Sequence, residues 1–491
     1  MDIIENDILQ YAVYEQALAL YEAGSYSEVL SGMKAIIPDA LSALSLDIAA
    51  ACACALERYD EAEKYWCSAI AMKRDYVDAY NELGILFRKL KRFEESEAMY
   101  NRAIELAPED AKLYNNIANL FRETGDFEKA QEGYKKALQL DPQYAEAYRN
   151  LGMMYKEAHC YEEAEASYKE ALKIIPDCAQ TQANLGYLLL ELGRYREGWP
   201  LYETRYDPRV NPTFARYEFS FPRWRGESLE GKTILIVPEQ GFGDEIQFVR
   251  FVTLLKERGA RVTLMCKQPL QRLFSTLQDV ESVIPETETP QKHDFWSFLL
   301  TVPLYFGTIL ETIPGRLPYL NTRHEWITEK LLLPKGSFIV GLVWKGSSEH
   351  GNDIHRSLRE FSVLEPLWSV PEVTFVSLQK GPPITNQTKQ PIIEREIDDF
   401  ADTAVLISQL DLVICVDTSV AHLCGALGKK CWVLLPFIGC DWRWMRERDD
   451  SPWYPNVMHL VRQNTANGWD ETIAKIVTAL SDEVEKRRAE N

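Results

Sequence analysis

The chain has 491 residues, 54 Lys and Arg against 74 Asp and Glu, a formal charge of −20, 7 His and 10 Cys. That length exceeds one ordinary core and implies roughly two to four domains, and a composition that is 46% hydrophobic and 26% charged belongs to a folded protein, not a disordered one. Residues 1 to 211 hold 37 acids against 23 bases, and an acidic excess of this size argues against nucleic acid or an anionic lipid surface as the main partner, since affinity for either rests on Lys and Arg neutralising phosphates.

The first residues carry Asp2, Glu5 and Asp7 where an export signal needs bases, so a cytoplasmic location is expected. No stretch reaches the roughly 18 apolar residues of a membrane span. The cysteines form no C-x-x-C pair and read as reduced thiols.

A repeat follows. Tyr80, Tyr114 and Tyr148 stand 34 residues apart, and Gln182 continues the register. At fixed offsets recur Leu83, Ile117, Leu151 and Leu185, then Gly84, Ala118, Gly152 and Gly186, then Phe87, Phe121, Tyr155 and Leu189. Further along come Trp66, Tyr100, Tyr134 and Tyr168, then Ala69, Ala103, Ala137 and Ala171, then Pro108, Pro142 and Pro176. Small residues where two helices touch, aromatics in the gaps and a closing proline describe a helix-turn-helix unit. The pattern resembles the tetratricopeptide repeat (TPR), well over Tyr80 to Pro176, less well over about 46 to 75, and loosely over 3 to 38, as a capping repeat does. The resemblance implies a superhelix over 1–206 with a concave face suited to an extended peptide. Asn116, Asn150 and Asn184, each two residues after the register position, offer a donor and an acceptor together and are candidates to hold an acceptor polypeptide backbone; the competing reading is that Asn is merely common at a solvated position.

The helical period stops near Tyr206, and Pro208, Pro212, Pro222 and Trp224 mark a linker over 207–230. Gly231 to Pro238 reads as a buried strand, Glu239 to Glu245 as a glycine turn, the next residues as a helix to about Arg258, and Arg261 to Cys266 as a second strand. Strand, glycine turn, helix, strand predicts a parallel sheet with ligands at the carboxyl ends of its strands. The texture restarts at Ser337, with strands at Phe338 to Trp344, Val373 to Leu378, Asp411 to Val416 and Cys431 to Leu435, a helix from about Val420 to Leu427, and a helical tail over Trp469 to Arg488. Two Rossmann-like halves are expected, one over 231–325 on the acceptor side and one over 326–491 on the nucleotide side.

Asp417, Thr418 and Ser419 immediately precede a helix, whose free N–H groups and dipole suit a diphosphate. His422, one turn in, is placed to reach a phosphate or ribose oxygen. Thr418 or Ser419 also reads as a plain N-cap, and His422 as a satisfied buried histidine. Gly241 and Gly243 let the backbone approach a ligand, and Asp244, at the start of the following helix, is placed to accept a proton from an acceptor hydroxyl, with helix capping as the alternative. Lys345, Gln379 and Lys380 lie at strand exits of the second half, where the two lysines can neutralise phosphate or stand as solvated loop residues. His350 and His355 sit in a polar loop with no cysteine nearby, and no metal-binding motif is present, so neither a metal nor a cofactor is expected.

The segments Glu239 to Phe248, Asp399 to Ala404, Val416 to Leu423 with Gly425 to Gly428, and Asp441 to Trp444 before Ser451 to Tyr454 resemble the ADP-heptose lipopolysaccharide heptosyltransferases. These are GT-B nucleotide-sugar glycosyltransferases. The likeness covers about 215 to 480 and implies a TPR superhelix followed by an α/β GT-B fold, with Asp244 as base and Asp417, Thr418, Ser419 and His422 on the donor diphosphate. The layout is also similar to protein O-GlcNAc transferases, whose asparagine ladder matches Asn116, Asn150 and Asn184. The function so implied is inverting, metal-independent transfer from a nucleotide-sugar donor to Ser or Thr of a protein such as flagellin. The alternatives are a lipopolysaccharide or other glycan acceptor, and an inactive TPR scaffold.

Overall fold

The computed structural model describes residues 3–35, 41–212, 217–381, 391–465 and 468–490; residues 36–40, around the end of the loosest repeat, and 213–216, within the linker stretch, lie outside them. The chain divides into two compact units, Met1–Thr181 and Gln182–Asn491.

The first unit is built of helix pairs: α1 (Ile3–Glu22) with α2 (Tyr26–Ala35), α3 (Ala43–Ala55) with α4 (Tyr59–Met72), α5 (Val77–Lys89) with α6 (Phe93–Leu106), α7 (Ala111–Thr124) with α8 (Phe127–Leu140), and α9 (Ala145–Glu157) with α10 (Tyr161–Ile174). Trp66, Tyr100, Tyr134 and Tyr168 are each at most 2% exposed. Packing is close enough that a Cβ on Gly84 would lie 2.6 Å from the Tyr100 ring. In the four pairs from α3–α4 to α9–α10 the turn is left-handed at one recurring place: Glu57, Lys91, Gly125 and His159 have φ of 59°, 59°, 82° and 63°. Only one of these is glycine. The other three adopt a conformation that costs an L-residue roughly 1–2 kcal/mol, which the stacked helices offset. Between successive repeats Arg88 pairs with Glu123, and Arg122 Nη1 pairs with Glu157 at 2.8 Å.

The second unit opens on residues 182–191 of α11 (Ala179–Glu191) and on α12 (Tyr195–Tyr202). Then β1 (Thr233–Val237), α13 (Phe242–Phe248), α14 (Val252–Glu257), β2 (Arg261–Cys266), α15 (Gln268–Phe274), β3 (Ser282–Pro285), β4 (Phe295–Phe298) and α16 (Val302–Tyr305) form a first layer with strand order β3-β2-β1-β4. A second comprises β5 (Phe338–Val343), α17 (Asp353–Arg356), β6 (Val373–Ser377), α18 (Phe400–Ser408), β7 (Leu412–Val416), α19 (Ser419–Ala426), β8 (Cys431–Leu435), β9 (Met458–Arg462) and α20 (Asp470–Glu490), in the order β6-β5-β7-β8-β9. Every ladder is parallel. Burial on both faces explains the unbroken apolar runs of β5, β7 and β8. Strand order reverses direction beside β1 in the first sheet and beside β5 in the second, and crevices for ligands open at the carboxyl ends of such strands.

The core of this unit includes the end of the helical array. Tyr195, Trp199 and Tyr202 of α12, each at most 2% exposed, pack in one apolar cluster with Phe248, Trp442 and Trp453. Trp199 meets Trp442 edge-on at 5.5 Å and donates its indole N–H to Thr308 O at 2.9 Å. Trp453 Nε1 donates to Tyr195 Oη at 3.0 Å. The end of the stretch expected to be linker is packed as well: Trp224 is fully buried, its N–H donates to Trp296 O, and Trp296 N–H donates to Pro222 O. Among the described residues no helix is long and apolar enough to cross a membrane.

Candidate functional site

The turn after β1 is held from behind. Glu239, with its side chain wholly buried, accepts from Arg205 Nε and Nη2 at 3.2 Å each, from Tyr206 Oη at 2.9 Å and from Leu300 N–H at 2.8 Å. Gln240 follows at φ 58°, strain that a tightly held backbone can keep. Gly241 then starts α13, and Asp244 Oδ2 accepts its N–H at 2.9 Å. Gly243 makes the close approach: a Cβ there would lie 2.7 Å from His422 Cδ2 and 3.4 Å from Ser419 Cα. The two segments singled out in the sequence, from different sheets, therefore meet face to face.

On the α19 side, Thr418 takes the N-cap position with extended backbone, yet its Oγ1 is buried and has no hydrogen-bond partner among the described residues. The capping bond expected of a plain N-cap is not made. Burial, reinforced by the neighbouring Asp441 charge, raises the Asp417 carboxyl to about 7. His422 is 6% exposed. Its Nδ1 shares a 2.9 Å hydrogen bond with Tyr454 Oη, and its ring stacks on Trp444 at 5.1 Å.

Burial first, then the Arg443 charge, lowers the His422 pKa to about 3. The group is neutral when folded, whereas the unfolded chain binds a proton here below about pH 6.5. Stability contributed by this histidine is therefore complete above 6.5 and is lost as pH falls from there towards 3. Between pH 7 and pH 5 the native chain should lose about 2 kcal/mol more than His422→Gln does, measured by urea unfolding at both pH values. Asp417 and Glu245, raised to about 7, act with the opposite sign, so the variant-minus-native difference isolates the histidine.

Three charged residues at the site carry no assigned role in the sequence reading: Asp441 and Arg443, within a segment singled out there, and Arg356. Arg443 Nη1 binds both oxygens of Asp441 at 2.9 Å, while its Nη2 reaches across to Asp244 Oδ1. Its Nε is buried without a partner among the described residues. Burial raises the Asp244 pKa and Arg443 opposes that rise; burial also pushes Asp441 up, but Arg443 outweighs it and holds Asp441 below the usual carboxylate value. Arg356 Nη1 donates to Asp417 O at 3.4 Å beneath Gly346. A fourth group without an assigned role is Gln247, one turn beyond Asp244, fully buried with both ends of its amide unbonded among the described residues.

The remaining candidates are placed as follows. Gln379 Oε1 accepts the N–H of Trp344 at 3.2 Å and of Lys345 at 3.0 Å, tying the exits of β5 and β6 together. Lys345 and Lys380 are exposed at those exits. His350 is close enough to Asp441 and Asp244 to feel both charges. Asp399 caps α18 and, with Asp402, binds Arg272 of α15. Among the described residues no group of three or more His, Cys, Asp or Glu is arranged to hold a metal ion.

The asparagines pair between repeats. Asn116 Nδ2 donates to Asn81 Oδ1 at 2.8 Å, and Asn150 Nδ2 donates to Asn115 Oδ1 at 3.0 Å. Asn150 is only 7% exposed, so its amide serves the stack first. Asn116 keeps a part-exposed face, as does Asn184 in the second unit.

The tetratricopeptide repeat family model matches residues 75–143 and 109–176. Protein FlbA of Caulobacter vibrioides (strain ATCC 19089 / CIP 103742 / CB 15) is 28% identical over 319 residues, which cover 58% of this chain and 52% of that protein. The match thus spans about half the length of that curated relative. The solved structure of pilF from Pseudomonas aeruginosa aligns at 18% identity and a TM-score of 0.36, covering 43% of this chain and 95% of that one. TTC0263 of Thermus thermophilus, a thermophilic TPR protein, aligns at 21% and 0.33, covering 37% and 99%. The chain carries an N-terminal tetratricopeptide-repeat solenoid, followed by a parallel-sheet α/β region.

Proposed function

We propose that the second unit is an inverting, metal-independent glycosyltransferase of the GT-B type, moving a sugar from a nucleotide-sugar donor to Ser or Thr of a protein, and that the repeats hold the acceptor polypeptide. The observation that carries this reading is the buried hydroxyl of Thr418 at the start of α19, unbonded among the described residues and opposite the Gly243–Asp244 turn. An orphaned polar atom is costly; a diphosphate oxygen at the helix N-terminus would satisfy it together with the free N–H groups there. The motif resemblance to ADP-heptose heptosyltransferases supports the same assignment.

In this mechanism the acceptor hydroxyl oxygen attacks the anomeric carbon while the bond from that carbon to the diphosphate oxygen breaks. The electron pair leaves with the diphosphate, and the hydroxyl proton passes to Asp244. The α19 N-terminus, Thr418, Ser419 and Arg356 meet the departing charge, with Lys345 and Lys380 at the rim. His422, neutral and fixed by Tyr454, offers its remaining ring nitrogen to a donor oxygen. The test is thermal unfolding of the full chain with UDP-, GDP-, ADP- and CMP-sugars. A true donor at 100 times its Kd adds about 2.7 kcal/mol; if none shifts the transition, the chain is a binding scaffold. Transfer is then assayed with the identified donor on flagellin and on a lipopolysaccharide acceptor, and labelling of the glycan alone overturns the protein acceptor.

A further inference from the structure

Arg443 is shared between two carboxylates. Its Nη1 is held by both oxygens of Asp441, two residues away in the chain, while Nη2 crosses to Asp244 on α13. Its side chain is 5% exposed, that of Asp244 17%. Gly241 N–H occupies the other Asp244 oxygen. Both oxygens of the proposed base are thus engaged before any substrate arrives, and a cation on a carboxylate lowers its appetite for a proton. The pair is also asymmetric. Asp441 grips the guanidinium with two bonds and so acts as its anchor, while Asp244 holds it by one, and Nε is buried with no partner among the described residues. The Asp244 turn lies against Ser419 and His422 at the proposed diphosphate seat. A diphosphate there competes for the same fork, since guanidinium binds phosphate oxygens as readily as carboxylate.

We propose that Arg443 is a donor-operated latch: in the empty site it occupies Asp244, and on donor binding it turns about its Asp441 anchor to the diphosphate, freeing Asp244 to accept the acceptor's proton. The inference rests on the glycosyltransferase reading. It makes the base competent only after the donor is seated, so that donor binds before acceptor deprotonation, and it gives the Asp441-Trp-Arg-Trp444 segment a role beyond packing.

The experiment measures binding to the full chain by calorimetry, with ADP, UDP, GDP and inorganic pyrophosphate each used alone. Asp244→Asn releases the fork, so whichever of these binds should bind about tenfold tighter. Arg443→Gln should weaken binding, and in that background Asp244→Asn should gain no more than about twofold. An equal gain in both backgrounds is simple relief of charge repulsion and overturns the latch, as does no gain at all in a chain that binds. If none of the four binds either the native chain or Asp244→Asn, the donor reading fails and the latch falls with it. Should Arg443→Gln not fold, Arg443→Lys keeps a charge without the fork, and the same shrinkage of the Asp244→Asn gain is expected there.

Discussion

Asp244→Asn should slow sugar transfer by roughly 10²–10⁴-fold, the usual contribution of a positioned base, without loss of donor affinity. The expectation follows from what the substitution keeps. An asparagine oxygen still accepts the Gly241 N–H that starts α13, and Gly243 still packs on His422 and Ser419, so the turn and the facing helix stay in place. What disappears is the proposed proton acceptor. Initial rates at saturating donor, beside calorimetric donor affinity, separate the two effects. A variant within threefold of the native rate would remove Asp244 from the chemistry and leave it as a cap on α13. The native rate should also fall at low pH, since burial raises the Asp244 pKa above its ordinary value and the protonated acid no longer serves as base.

How much of this was legible depends on whether the causes are local. The repeat is written at fixed spacing in small and aromatic residues, so its helices are readable. Its left-handed turns are not, because Glu57, Lys91 and His159 carry no glycine signal. The segments Gly241 to Asp244 and Asp417 to His422 are visible as a glycine turn and a helix start. Their meeting is not, because a contact between residues so far apart in sequence leaves no periodic trace. Arg443 shows the same limit: one arginine in an aromatic segment gives no hint that its partner is an aspartate about 200 positions earlier. The sequence presents the asparagine ladder as amides on the concave face that can hold a peptide backbone, whereas two of them bond Asn81 and Asn115, which stand one position off the register row. Strands β3 and β4 have four residues each, too short for a pattern to distinguish them from loops, and β9, with His459 exposed between buried neighbours, lacks the unbroken apolar run that marks β7 and β8.

The helical period also hides where one folding unit ends and the next begins. Since α12 carries the repeat pattern, a cut after Tyr206 looks natural, yet a fragment of residues 207–491 should fail to fold while 182–491 folds. The shorter fragment loses Tyr195, Trp199 and Tyr202 from among Phe248, Trp442 and Trp453, and truncating a single buried tryptophan already costs about 3–5 kcal/mol. It also strips Arg205 and Tyr206 from the buried Glu239, and Glu191 from Arg446, which it holds at 2.9 Å with the carboxylate side chain 1% exposed. Leaving the buried Glu239 charge without its cation costs about 3–5 kcal/mol. Together these losses are of the same size as the roughly 5–15 kcal/mol that holds a typical domain. Urea unfolding followed by tryptophan fluorescence reads the outcome, with Trp199→Ala in the full chain as the graded control at about 3–5 kcal/mol. A cooperative transition in 207–491 at the native midpoint would mean that the aromatic cluster only covers the α/β region. Its absence makes the last repeat part of the α/β unit: the helix that ends the helical array is also the one packed behind Phe248 on α13, the helix that carries Asp244.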